Sequence, residues 1–226
     1  MPLRLTRLIS SRYIYRNFLK VQDTKLTISE EELEVMQNSR FFEVKHEVTQ
    51  KILQLLGELE KELVKKISGH SLFSMEELKI KDKGKIFRGE NYRLMPYLVL
   101  DCPRIFNTDT IFAFRSMFRW GNEFSFTLHL QGKALEIFRK KIQRNISSLI
   151  KQDFFICVND TPWEYTYDEM NYKPLDDMMQ HHADELKKLI SDGNFLKLSR
   201  KINLENYRDA VSYGTETFEK LIRVMN

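Results

Sequence analysis

The spacing of apolar residues changes period along this chain, and that change limits the available folds more than any other feature. Between residues 44 and 67, Val44, Val48, Ile52, Leu55, Leu56, Leu59, Leu63 and Ile67 step by three and four, which makes one stripe on an otherwise charged helix. Past Pro96 the period falls to two. PYLVLDC, IFAFRSMFRW and EFSFTLHLQ read as three strands rich in aromatic and branched residues, and FFICVND and WEYTY as two more joined at Asp160-Thr161-Pro162. Helical spacing returns over residues 133–151, through Leu135, Phe138, Ile142, Ile146 and Leu149, and again after Pro174, over 175–190 and 204–225. Helices, then strands, then helices, with no βαβ alternation, predict an α+β fold. The expected architecture is a four- or five-stranded antiparallel sheet, a long N-terminal helix packed across it and a C-terminal helical layer.

Local signals sharpen the boundaries. Ser29 followed by Glu30, Glu31 and Glu32 is a helix start, with a hydroxyl cap and then acids at the positive end of the macrodipole. This first short helix breaks at Asn38-Ser39, the long helix covers residues 40–68, and Gly69 supplies its left-handed end. Residues 70–94 read as a turn-rich connector with one short edge strand at Ile86-Phe87. No linker-like stretch occurs, so the expected organisation is a basic arm, residues 1–28, followed by a single domain, residues 29–226.

With 42% hydrophobic and 30% charged residues the chain falls in the globular class, and Gly 8 with Pro 5 leaves little material for long loops. No apolar run approaches the ~20 residues of a membrane span. Cys102 and Cys157 are too few for a disulfide framework or a zinc cluster and read as small buried hydrophobes in a reducing, cytoplasmic setting. The net charge of +4 is unevenly spread. Arg4, Arg7, Arg12, Arg16, Lys20 and Lys25 against Asp23 give +5, and Lys133, Arg139, Lys140, Lys141, Arg144 and Lys151 against Glu136 give another +5, which leaves −6 for the rest. The first twenty residues also match an amphipathic presequence, although an N-terminal arm or short helix is the simpler reading.

The stretch IFAFRSMFRWGNEFSFTLHLQ carries the main functional question. Alternation puts Phe112, Phe114, Phe118 and Trp120 on one face with Phe124, Phe126, Leu128 and Leu130, and Arg115, Met117 and Arg119 on the other with Ser125, Thr127, His129 and Gln131. A two-residue turn would pair an apolar face with a polar one. A three-residue turn at Gly121-Asn122-Glu123 avoids this and sets Phe118 opposite Phe126 and Arg115 opposite His129. The preceding strand brings Asp101 to the same polar side, with Arg104 just beyond. The ordinary meaning of such a face is the wet side of an antiparallel sheet. The functional alternative is an anion-binding cleft built from Asp101, Arg104, Arg115, Arg119 and His129, in which arginine forks take a carboxylate or phosphate and His129 serves as acid or base.

Other features are less specific. Lys140, Lys141 and Arg144 form the best nucleic-acid patch, but no helix-turn-helix, RNP, KH or zinc-finger pattern accompanies them. Asp177, His181 and Glu185 share a helical face and suggest a partial metal set, with His182 on the packed stripe beside them. No HExxH motif occurs, and the expectation is no metal and no cofactor. GENYR at 89–93 reads as a tight turn rather than a phosphate loop. Trp163, Tyr165 and Tyr167 alternate on one strand face, to stack a planar ligand or to pack beneath the C-terminal helices. No GxSxG or other nucleophile–base pattern occurs, so catalytic residues cannot be assigned.

Over residues 30–170, and most firmly in GKIFRGENYRLMPYLVLDCPR and FRWGNEFSFTLHLQG, the chain resembles a family of uncharacterised, conserved-hypothetical bacterial proteins of similar length. The resemblance implies a bacterial cytosolic protein; the family has no assigned activity, so it implies no functional residues. The leading expectation is a non-catalytic domain that binds a small anionic ligand or a protein partner. An enzyme acting on an anionic small molecule through the polar face is the alternative, and nucleic-acid binding through the basic patches is third.

Overall fold

A computed structural model describes residues 27–226 with the exception of Glu77, Lys79, Lys81 and Asp82. The basic arm and the presequence reading therefore lie almost wholly outside the described residues. The chain divides into two compact units, residues 1–47 and 48–226.

In the first unit, α1 (Glu30–Gln37) begins at a capping box. The Ser29 hydroxyl accepts from the Glu32 amide at 3.2 Å while the Glu32 carboxylate accepts from the Ser29 amide at 2.8 Å. At Asn38 the helix stops, and the Asn38 carboxamide oxygen accepts from the Phe41 amide at 2.9 Å, which starts α2 (Ser39–Ile67). No residue of α1 is buried.

From Val48 onward α2 belongs to the second unit, where Ile52, Leu56, Leu59, Leu63 and Ile67 are buried at the predicted spacing. Gly69 ends it with φ +78°. The sheet follows: β1 (Lys85–Tyr92), β2 (Met95–Phe106), β3 (Thr110–Arg119), β4 (Glu123–Gly132), then α3 (Lys133–Asn145), β5 (Phe155–Cys157), β6 (Tyr172–Pro174), α4 (Leu175–His181), α5 (Ala183–Asp192), β7 (Phe195–Asn203) and α6 (Ala210–Val224). The fold is α+β and, among the described residues, every strand pair is antiparallel and the sheet has seven strands in the order β1-β2-β3-β4-β7-β5-β6, not four or five.

Two strands account for most of that difference. The edge strand expected at Ile86-Phe87 extends over the whole of Lys85–Tyr92, so GENYR is largely strand and the chain reverses after it, at Arg93 and Leu94, both with positive φ. β7 had no sequence assignment. Its alternation is broken by Arg200, which sits on the core side, buried, with its guanidinium 4.0 Å from the Tyr213 ring and donating to Thr217 at 3.2 Å. Conversely, WEYTY is not a strand; its pairing place beside β5 is taken by β6.

The helices are also shorter than their apolar spacing implied. The segment 175–190 breaks at His182 into α4 and α5, and residues 204–209 are a 3-10 turn before α6. The apolar sheet face, with Leu98, Leu100, Phe112, Phe114, Phe124, Phe126, Leu128 and Leu130, is fully buried in one core with α2, α3 and α6. Gly214 permits this closeness: a Cβ there would lie 2.6 Å from the Phe126 ring and 3.2 Å from Leu59.

Among the described residues no helix is long and apolar enough to cross a membrane.

Candidate functional site

The register of the central strands fixes what lies on the opposite, polar face. Asp101 pairs with Arg115, Arg115 with Thr127, and Thr127 with Ser199, which makes one row across β2, β3, β4 and β7. Past a one-residue register shift between Asp101 and Arg104, the next row is Arg104, Ala113, His129 and Lys197. The faces are those expected from alternation, but Arg115 faces Thr127 rather than His129, and Phe118 faces Phe124 rather than Phe126. The turn still has three residues. It is Trp120-Gly121-Asn122, with Gly121 at φ +68°, because Arg119 and Glu123 close the hairpin as a buried ion pair. Moving the turn by one residue preserves the parity and slides the register by two.

This face is neither wet nor an open cleft. Residues 158–171 form a strap that leaves β5 and returns at β6, closed at its base where the Val158 amide donates to the Asn171 carbonyl at 2.8 Å. A long irregular segment with adjacent ends is an Ω-loop, which folds on its own side chains over whatever it covers. Here it covers the polar rows. Arg115 donates through Nε and one Nη to both Asp101 oxygens, each at 2.8 Å, and through the other Nη to the Tyr165 hydroxyl at 2.7 Å. Arg119 donates to Glu123 at 2.9 Å and to Thr166 at 3.1 Å. The Tyr165 amide donates to the Tyr92 hydroxyl at 2.6 Å, and Tyr92 donates to Glu164 at 2.9 Å. Tyr167 stacks on Tyr172 with centroids 4.7 Å apart and bonds Ser199, which meets Thr127 at 2.6 Å. The aromatic residues of WEYTY therefore pack over the polar sheet face, not beneath the C-terminal helices.

Two groups under the strap sit under strong electrostatic pressure. Lys197, 0% exposed, donates to the Glu164 carbonyl and lies 4.0 Å from the Tyr165 ring and 5.0 Å from the Tyr172 ring. Burial, and then the nearby Arg115, bring its ammonium down to about 8. His129, 2% exposed, is pushed down to about 3 by burial first, then by Lys197 and Arg115, so its imidazole is neutral. Trp163 and Phe195 meet His129 edge-on, with centroids 5.7 and 6.2 Å away.

Lys197 supplies a test of the network. The unfolded lysine holds its proton to about 10.5 and the folded one only to about 8, so the unfolded state binds more protons between those values and stability rises with pH across the window. Wild-type protein is expected to gain about 1.4 kcal/mol between neutral pH and about pH 9 in urea melts, a gain that Lys197→Met abolishes. Lys197→Met itself stays within about 1 kcal/mol of wild type at neutral pH, because exchanging a buried charge for an apolar side chain is near neutral. Tyr165, raised to about 12 mainly by burial, acts in the opposite sense above about pH 10.

The remaining candidates are scattered. Lys140 and Lys141 are exposed on α3. Arg144 lines a cleft of about 430 Å³ with Lys220 and Arg223, but Arg144 and Arg223 each occupy the last turn of a helix, where a cation offsets the macrodipole. The face expected to unite Asp177, His181 and Glu185 is divided by the break at His182, which is not packed on an apolar stripe but lies near Asp177 and Glu185 at 3.9 and 3.6 Å. Among the described residues no group of three or more His, Cys, Asp or Glu is placed to hold a metal ion.

The structure thus brings Asp101, Arg104, Arg115, Arg119 and His129 onto one face together with Gln131, as alternation implied, and adds Lys197 from β7 and Tyr165 from the strap. Lys197 carried a faint signal, the alternation of Leu196 and Leu198 with Lys197 and Ser199 after the Gly193 stop. Comparison of the chain with protein-family models, with curated proteins and with solved structures finds no match.

Proposed function

We propose that the protein is a non-catalytic interaction module that presents residues 28–44 to a protein partner. The observation that carries this reading is where the large apolar side chains meet solvent. Ile28, Leu33, Val35, Met36, Phe41 and Phe42 are all exposed within fifteen residues that span α1 and the first turn of α2, Phe41 and Phe42 at 50% and Met36 at 61%. Apolar side chains clustered in this way mark interaction surfaces, and an amphipathic helix laid into a groove is a recurring form of them.

Charge selects the partner. Residues 27–47 hold six acids, Glu30, Glu31, Glu32, Glu34, Glu43 and Glu47, against Arg40 and Lys45, a net of −4 with His46 neutral. That local acidity suits a protein groove bordered by basic residues. The enzyme alternative loses support because Asp101 and Arg115 are committed to each other and to Tyr165. A bacterial cytoplasmic setting belongs to the same reading, supported by the family resemblance and by two buried cysteines that form no disulfide.

The test replaces Phe42 with a photo-crosslinking phenylalanine in cells at native expression, with Tyr207 as the control position. One discrete adduct at 42 and none at 207 is expected. The identified partner, once purified, should bind the wild-type chain and bind Met36→Glu/Phe41→Glu at least about tenfold more weakly. The same adducts at both positions, or none at 42, would defeat the proposal.

A further inference from the structure

The geometry points to a binding site for a small phosphomonoester in the cleft where the C-terminal ends of α3 and α6 meet, between Arg144 and Arg223. The site lies wholly within residues 48–226 and is independent of the helical arm. The cleft holds about 430 Å³, in the size range of small-molecule sites. Three cations line it, Arg144, Lys220 and Arg223, and no acid does. Lys220 is committed elsewhere, since its ammonium meets Glu216 at 2.6 Å. Arg144 and Arg223 are exposed, and neither forms an ion pair or hydrogen bond among the described residues. Helix ends account for each arginine singly but not for this pair. A capping arginine is seen at Arg139, whose guanidinium donates to the Ile190, Ser191 and Gly193 carbonyls at the end of α5. Arg144 and Arg223 make no such bond, and carbonyls around them already have donors. Asn145 Nδ2 donates to the Val224 carbonyl at 3.3 Å, the Ser148 hydroxyl to that of Asn145 at 2.7 Å, and the Met225 amide to that of Ile222 at 3.0 Å. These bonds tie the two helix ends together and leave both guanidinium forks unengaged on the walls of the cleft.

Charge and wall chemistry define the ligand. Two unpaired guanidiniums match a dianion, and their planar forks suit the oxygens of a phosphate group. A phosphomonoester is largely dianionic at neutral pH, its second pKa being about 6, whereas a phosphodiester carries one charge. Leu149 is the one apolar side chain among the lining residues, while Ser147, Ser148 and Gln152 present hydroxyl and amide groups. A body that carries hydroxyls therefore fits these walls better than an aliphatic or aromatic one. Lys140 and Lys141, the other bases in that part of α3, do not line the cleft. The arrangement is a pocket for one small ligand rather than a track along a nucleic-acid backbone.

The experiment titrates the full chain with ribose 5-phosphate, glucose 6-phosphate, free ribose, dimethyl phosphate and a single-stranded oligonucleotide. At least one sugar phosphate is expected to bind one-to-one with a dissociation constant under about 1 mM, and ribose and dimethyl phosphate at least about tenfold more weakly. Arg144→Gln and Arg223→Gln should each weaken the sugar phosphate at least about tenfold, with unchanged far-UV circular dichroism because both side chains are exposed. Lys140→Gln/Lys141→Gln, which removes charge outside the cleft, should change that affinity by less than about twofold at physiological salt. In the wild type, titration should move the Ser147 and Ser148 amide resonances. Binding of neither sugar phosphate, dimethyl phosphate binding as tightly, affinity unchanged in both arginine variants, or occupation of the cleft by the oligonucleotide alone would each overturn the assignment.

Discussion

Replacing Arg115 with alanine is expected to lower the unfolding free energy by about 3–5 kcal/mol, the largest single-residue effect on the polar side of the sheet. The loss comes less from the attraction removed than from what remains. Asp101 is 3% exposed, and without the fork that meets both its oxygens its carboxylate is left buried with no counter-charge. The Tyr165 hydroxyl loses its arginine partner in the same step, so the strap that carries it loosens as well. A control separates this mechanism from simple loss of packing. Asp101→Leu/Arg115→Met removes both charges while keeping apolar volume, and is expected to recover most of the stability, because a buried pair exchanged for apolar residues is near neutral or better. Urea melts of the wild type, the single variant and the double variant at neutral pH decide the matter. A double variant as unstable as Arg115→Ala would mean that packing rather than the orphaned carboxylate dominates. For a domain whose total stability lies in the usual range of about 5–15 kcal/mol, the single variant sits close to global unfolding.

The same pair shows what local sequence can and cannot encode. That Asp101 and Arg115 share a face follows from period-two alternation on two neighbouring strands, and the structure pairs them directly. That Arg115 faces Thr127 rather than His129 does not follow, because parity allows either register and the choice was made by the Arg119–Glu123 contact across the turn. The strap was illegible for a related reason. WEYTY alternates as a strand does, but Tyr165 and Tyr167 are held by Arg115 and Ser199, partners about 30 to 50 residues away in sequence that fix a conformation no window of neighbouring residues contains. β7 was obscured by Arg200, a charged residue on the core side that is tolerable only because Tyr213 and Thr217 of α6 receive it. Where a residue's neighbours decide its conformation, as at Ser29 or Gly69, the sequence reading and the structure coincide. Where a distant polar partner decides it, they part. The candidate site consists almost wholly of the second kind.

His129 turns that buried polarity into a dependence on acid. With its folded-state value near 3 against an ordinary 6.5, the unfolded chain takes up a proton that the folded protein refuses, so stability is complete above about pH 6.5 and declines as the pH falls toward 3. The loss attributable to this one imidazole is expected to reach about 2.7 kcal/mol by pH 4.5 and to approach 4–5 kcal/mol near pH 3. Folded carboxylates that hold on to their charge act in the same direction, so the bare wild-type profile does not isolate the histidine. Comparison with His129→Gln does, because glutamine keeps a polar side chain at the position and removes the titration. The difference between the two proteins in urea-melt free energy should therefore change by about 2.7 kcal/mol between pH 7.5 and 4.5, in favour of the variant at the acidic end. A constant difference would mean that the imidazole titrates normally when folded, and hence that the strap opens to solvent far more readily than its hydrogen bonds imply. The acid response of a single histidine thus measures how tightly residues 158–171 seal the polar face.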